Sequence, residues 1–151
     1  MAAARHPVLY ARWGVADTLD GRFDMITLHT FLALDRLKGV EEGFRQDLVD
    51  ELFLDMDRSL REMGVGDISV GKKVRKMAEV FYGRIAAYDQ ALEGPEGALD
   101  AAIARNVFPE GAAGDGPGRL AEYVMQQRGH LASQDTSGIA RGTIRFQEPT
   151  P

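Results

Sequence analysis

At 151 residues, with 44% apolar and 27% charged side chains, the chain suits one soluble globular domain around a single core. It contains no cysteine, which excludes a disulfide framework, Cys-based zinc or iron–sulfur sites and thiol catalysis. A net charge of −5 gives no reason to expect specific DNA binding, and no apolar run approaches the roughly 20 residues of a membrane-spanning helix.

The start, Met1 to Pro7, has neither the apolar stretch of a signal peptide nor an Arg-rich transit segment, so a cytoplasmic protein is expected. Val8 to Trp13 reads as a short helix ended by Gly14. Too brief to stand alone, it is expected to dock Leu9, Tyr10 and Trp13 on the main body. Asp17 to Gly21 reads as a turn, followed by a long helix over about 22–38 closed by Gly39. That helix is apolar on two sides. Phe23, Ile26, Leu34 and Leu37 share one face, and Met25, Leu28 and Leu32 lie nearly opposite. It either sits inside the bundle or turns its second stripe to a partner.

Two strongly periodic segments come next. Leu48, Val49, Leu52, Phe53, Met56, Leu60 and Met63 recur at three- and four-residue spacing, and Val70, Val74, Met77, Phe81, Ile85, Tyr88 and Leu92 do the same. The short break from Met63 to Asp67 makes them an antiparallel pair. Their charges are opposed. From Glu41 to Met63 there are eight acids, Asp47, Asp50, Asp55 and Asp57 among them, against three bases. From Lys72 to Arg84 there are five bases, four of them Lys72, Lys73, Arg75 and Lys76, against Glu79.

With Asp67 or Ser69 as N-cap, those four cations fall in about the first two turns, where the helix dipole disfavours each by roughly 0.3–1 kcal/mol. Local helix stability therefore does not account for them. Two explanations remain: pairing with the acidic helix, at about 0–1 kcal/mol per exposed pair, or an exposed patch for an acidic partner, RNA or an anionic membrane.

Gly94-Pro95-Glu96 is expected to open a shorter helix through Val107, with Pro95 in its first position. Pro109 to Gly118 is Gly- and Pro-rich and reads as a loop. A last helix runs over about 119–132. The remainder, 133–151, reads mostly as tail; Thr143 to Phe146 could pack as an extended strand, but the Pro-Thr-Pro end suggests fraying. These segments predict an all-α, single-domain bundle of about five to six helices, ordered over about 8–132, with a short irregular C-terminal tail.

No catalytic constellation is apparent. Ser69-Val70-Gly71-Lys72 matches a Ser-x-x-Lys pattern without the companion motifs of penicillin-recognising enzymes, and Ser69 is better read as a helix cap. Asp20-Gly21 lacks the ligand positions of a calcium loop, and Gly64-Val65-Gly66 lacks the third glycine and preceding strand of a phosphate loop. His6, His29 and His130 form no ligand pair, and His29 reads as a hydrogen-bonded interior residue. No cofactor and no metal are expected.

The residues alone point to a helical interaction domain. A resemblance goes further, carried by Asp20-Gly21-Arg22-Phe23-Asp24-Met25 with Leu28-His29, and by Leu54-Asp55-Met56-Asp57 through Leu60 to Asp67. It continues over Ser69 to Val74, Met77-Ala78-Glu79 and Phe81-Tyr82-Gly83-Arg84. In this run the chain resembles the ubiquinol–cytochrome c chaperone family, assembly factors for cytochrome b of the respiratory bc1 complex. The resemblance implies a helical chaperone without catalysis that holds new cytochrome b near membrane and ribosome until assembly proceeds. Mitochondrial members work with a small partner protein and carry an N-terminal extension involved in membrane association. Having only a short piece before Trp13, this chain is expected to be a bacterial member at the cytoplasmic face of the inner membrane.

Such a client offers apolar helices and, on its cytoplasmic loops, an excess of Lys and Arg. Met25, Leu28 and Leu32 are accordingly candidates for an apolar groove, and Asp47, Asp50, Asp55 and Asp57 for contact with cationic loops. Lys72, Lys73, Arg75 and Lys76 suit ribosomal RNA or anionic lipid instead. The competing readings are a general adaptor with another partner, and an unrecognised hydrolase or metal protein.

Overall fold

The computed structural model describes residues 1–40 and 42–151; Glu41, counted among the acids above, lies outside them. After a 3-10 turn at Ala3–Arg5 the described helices are α1 (Pro7–Ala11), α2 (Leu19–Arg36), α3 (Glu42–Glu62), α4 (Asp67–Leu92), α5 (Ala98–Val107), α6 (Gly116–Ala132) and α7 (Thr136–Ala140). Among the described residues there is no strand, so the all-α expectation holds.

The centre is α2. Its start lies earlier than the sequence suggested, because Thr18 Oγ1 accepts from the Gly21 backbone N–H at 3.1 Å and caps the helix within the expected turn. The residues before the helix then cross its first turn so closely that a Cβ at Gly21 would run into the Ala16 carbonyl. The 3-10 turn, α4, α5 and α6 all pack on α2, which buries both of its apolar stripes. The interior reading of this helix is therefore the correct one. Met25 and Leu28 are 0% exposed and Leu32 is 1% exposed, so these three side chains are core; Leu32 alone touches the floor of a shallow groove between α2 and α6. Each contributes roughly 1.5–3 kcal/mol of burial.

Helices α3 and α4 form the expected antiparallel hairpin, with Phe53 and Phe81 edge-to-face at 5.4 Å. The turn between them is a Schellman motif. Gly64 takes φ +83°, its N–H bonds the Arg61 carbonyl at 2.9 Å, and the Val65 N–H bonds the Leu60 carbonyl at 3.1 Å. The N-cap of α4 is Gly66, not Asp67 or Ser69, because the helix begins at once after this turn. Lys72 is thereby the sixth helical residue, beyond the first turn in which the dipole acts most strongly.

Two further boundaries differ from the expected ones. Gly97, at φ +82°, extends the turn after α4 by one step, so α5 starts at Ala98 and Pro95 stays outside it. At α6 the helix starts three residues early, with Pro117 in the first turn.

The C-terminal segment is a further correction. Asp135 caps α7 through the Gly138 N–H at 3.1 Å. Beyond it the backbone is held by two glutamine amides acting as both donor and acceptor. Gln134 bonds Arg145 N–H and carbonyl at 3.0 and 2.7 Å, and the fully buried Gln127 bonds Gln147 N–H and carbonyl at 2.9 and 3.3 Å. These bonds need no neighbouring strand, which is why strand propensity did not reveal them.

One ion pair ties the centre to the hairpin. Asp24 on α2 meets Arg84 on α4, both largely buried, and Arg84 also donates to the Asn106 carbonyl of α5 at 3.1 Å. Burial pulls the Arg84 guanidinium below its usual value, offset by Tyr88 and Asp20 nearby.

Candidate functional site

A groove of about 280 Å³ runs between α2 and α3. Ile26, His29, Thr30 and Ala33 come from α2, and Leu48, Glu51, Leu52 and Asp55 from α3. Met1 and Ala4 lie against it on the N-terminal side, and Ile144 and Phe146 of the docked tail on the C-terminal side. The floor is apolar because α3 turns its Leu48 and Leu52 stripe inward; the rim is acidic because Glu51 and Asp55 follow the outer edge of that stripe.

Of the predicted acids, Asp47 and Asp55 lie on one row of α3 with Glu51 between them at four-residue spacing. Glu51 is the member that sequence reasoning left out, although the spacing was visible. Its contact with Arg58, 3.9 Å between exposed groups, contributes little. Asp50 accepts from Gln46 at 2.7 Å, and Asp57 is engaged by Arg61 at 2.6 Å, so neither joins the rim.

His29 sits on the groove's inner wall and is 5% exposed. Its Nδ1 lies 2.7 Å from the Met25 carbonyl, which can only accept, so Nδ1 carries the proton. Nε2 then accepts from the Tyr123 hydroxyl at 3.0 Å. Burial pushes the imidazole down to about 4, against the opposing pull of the Met25 carbonyl. Phe146 of the tail stacks edge-on against the ring at 5.1 Å. Both ring nitrogens are committed to protein partners, which leaves His29 no lone pair for a metal.

The basic cluster is on the other side of the hairpin. Lys72, Lys73, Arg75 and Lys76 are all exposed. Among the described residues, Lys76 pairs only within its own helix, with Glu79 at 3.6 Å, and none of the four reaches an acid of α3. Pairing with the acidic helix does not account for them. The helix turns Val70, Val74 and Met77 toward the hairpin interior, and the cations between those positions point away. The described ion pair joining α3 to α4 is Arg61 with Asp67, at the turn.

Among the described residues no group of three or more His, Asp or Glu side chains is placed to hold a metal ion. No described helix is long and apolar enough to cross a membrane. The described surface thus combines an acid-rimmed apolar groove with an exposed cationic face, both on helices.

The chain belongs to the ubiquinol–cytochrome c chaperone family, whose model matches residues 11–146. It is 28% identical over 134 residues to ubiquinol-cytochrome-c reductase complex assembly factor 1 of Xenopus laevis, covering 83% of this chain and 65% of that protein. The factor of the same name in Mus musculus is 28% identical over 147 residues, covering 91% of this chain and 48% of that one. The chain thus spans about half to two thirds of the curated relatives it matches. Among solved structures, the crystal structure of the Cbp3 homolog from Brucella abortus superposes with a TM-score of 0.83 at 41% identity, covering 97% of this chain and 83% of that one. The expected family and the all-helical fold are thereby established.

Proposed function

We propose that this protein is a non-catalytic assembly chaperone of the cytochrome bc1 complex, and that its client is newly made cytochrome b. Family membership supports the process, and the α2–α3 groove supports the client. The observation that carries the reading is the acid row beside the apolar floor. A membrane protein emerging on the cytoplasmic side presents apolar segments whose flanking loops are rich in Lys and Arg. Apolar side chains fit the floor formed by Leu48 and Leu52, and the flanking cations fit Asp47, Glu51 and Asp55. Work on such a client places the chaperone at the inner face of the inner membrane, beside the ribosome that makes it.

The test is a pull-down from membranes of the native cell, with wild type beside a Glu51→Lys, Asp55→Lys double variant. Glu51 is exposed and Asp55 half-buried at the rim, and an unchanged Tm of the variant is the control for folding. Wild type is expected to recover cytochrome b, and the variant at least about tenfold less, since like charges now face each other across the contact. Deletion of the gene is expected to deplete the assembled bc1 complex. A wild-type complex without cytochrome b would sink the reading in favour of a general adaptor. Equal recovery by the variant would move the client away from the groove.

A further inference from the structure

We propose that the free end of the α3–α4 hairpin is an attachment site for an anionic phospholipid bilayer. Ile68 is 85% exposed and Met63 is 58% exposed, one on each side of the turn between α3 and α4. From Arg58 to Lys76 the hairpin end carries six cations against Glu62 and Asp67, in a chain that is acidic overall. Asp67 is held by Arg61, and Lys72, Lys73 and Arg75 have no ion-pair partner among the described residues.

The spacing suits a bilayer. Lys72 and Lys73 follow Ile68 by four and five residues, a rise of roughly 6–7.5 Å. The headgroup layer between hydrocarbon and water is of similar depth, roughly 5–8 Å. With Ile68 and Met63 at the hydrocarbon boundary, the ammonium groups lie among the lipid phosphates. Side chains on a helix lean toward its N-terminus, so the cations of α4 incline toward the apex, and their flexible stems extend that reach. The positive end of the α4 dipole faces the same way. RNA fits less well. The apex side chains are aliphatic, and they gain from hydrocarbon but offer no ring on which a base can stack.

This inference rests on the membrane placement proposed above and supplies the surface that would hold the protein there. It leaves the groove between α2 and α3 on a different face, free for a client.

The test uses the full chain with phosphatidylcholine vesicles, with and without phosphatidylglycerol, in a flotation assay that contains no cytochrome b. It can therefore fail while the pull-down succeeds, and the reverse. Wild type is expected to float with the anionic vesicles alone and to release as salt rises. Ile68→Asp is expected to weaken binding roughly tenfold, and Lys72→Glu, Lys73→Glu, Lys76→Glu together at least about a hundredfold, with Tm unchanged in both. Three results would overturn the proposal: no flotation of wild type, equal flotation with neutral vesicles, or wild-type binding by Ile68→Asp. Binding of an RNA oligonucleotide in place of vesicles would overturn it as well.

Discussion

Replacing Asp24 with alanine is expected to destabilise the fold by about 3–5 kcal/mol, with Tm falling by roughly 10 °C. The cost comes less from losing an attraction than from what remains. Arg84 would stay largely buried as a cation with the Asn106 carbonyl as its remaining acceptor. The Tyr88 hydroxyl cannot compensate, because burial pushes it up to about 12 and keeps it neutral. A double variant, Asp24→Leu with Arg84→Met, is expected to recover most of the loss, since apolar groups of similar volume leave no charge behind. Urea denaturation of the two variants beside wild type measures this. An Asp24→Ala midpoint within about 1 kcal/mol of wild type would show that water reaches the guanidinium.

Acidification is expected to destabilise the protein well before its carboxylates titrate. His29 has a folded value of about 4 against an unfolded value of about 6.5. Between the two, the unfolded chain takes up a proton that the folded state refuses. Stability from this group is therefore complete above about pH 6.5 and declines as pH falls to about 4, by roughly 3 kcal/mol over the window. By pH 5 about 2 kcal/mol should be gone. Denaturation at pH 7.5 and pH 5 reads the slope, and His29→Phe should flatten it. Should that variant fold poorly, the ring resonances of His29 in the wild type report its titration directly. An imidazole that titrates near 6.5 in the folded protein would refute the argument.

The hairpin was legible because each of its helices carries one apolar stripe, and one stripe admits one orientation. The central helix was legible as interior only in outline, since two stripes fit either burial on both sides or a second partner. The packing of α4, α5 and α6 against α2 decides it, and no local pattern encodes that packing. Buried polar residues other than His29 were the least visible. Asp24, Thr27 and Gln127 lie among core side chains, where periodicity reads them as solvent-facing. Asp24 and Arg84 both stand within the run that carries the family resemblance, yet 60 residues of chain hide that they are partners. The tail was legible only as a stretch over 143–146 that could pack as a strand, because side-chain amides and not strand pairing hold it. At the candidate site, the acids and the cations were both evident, but whether they paired depended on how far each helix is rotated about its axis. That rotation is fixed by Val70, Phe81 and Tyr88 packing into the core.

The enclosed position of α2 has a consequence for how the molecule is made. Synthesis runs from the N-terminus, so α2 leaves the ribosome before the large helices that cover it, and α6, the last of these, is complete only at Ala132. At about 5–20 residues per second, the apolar faces of α2 wait on the order of 5–20 s for their lid. The chain thus begins its own existence as an unprotected nascent segment, and its yield in the cell should depend on how quickly translation reaches α6.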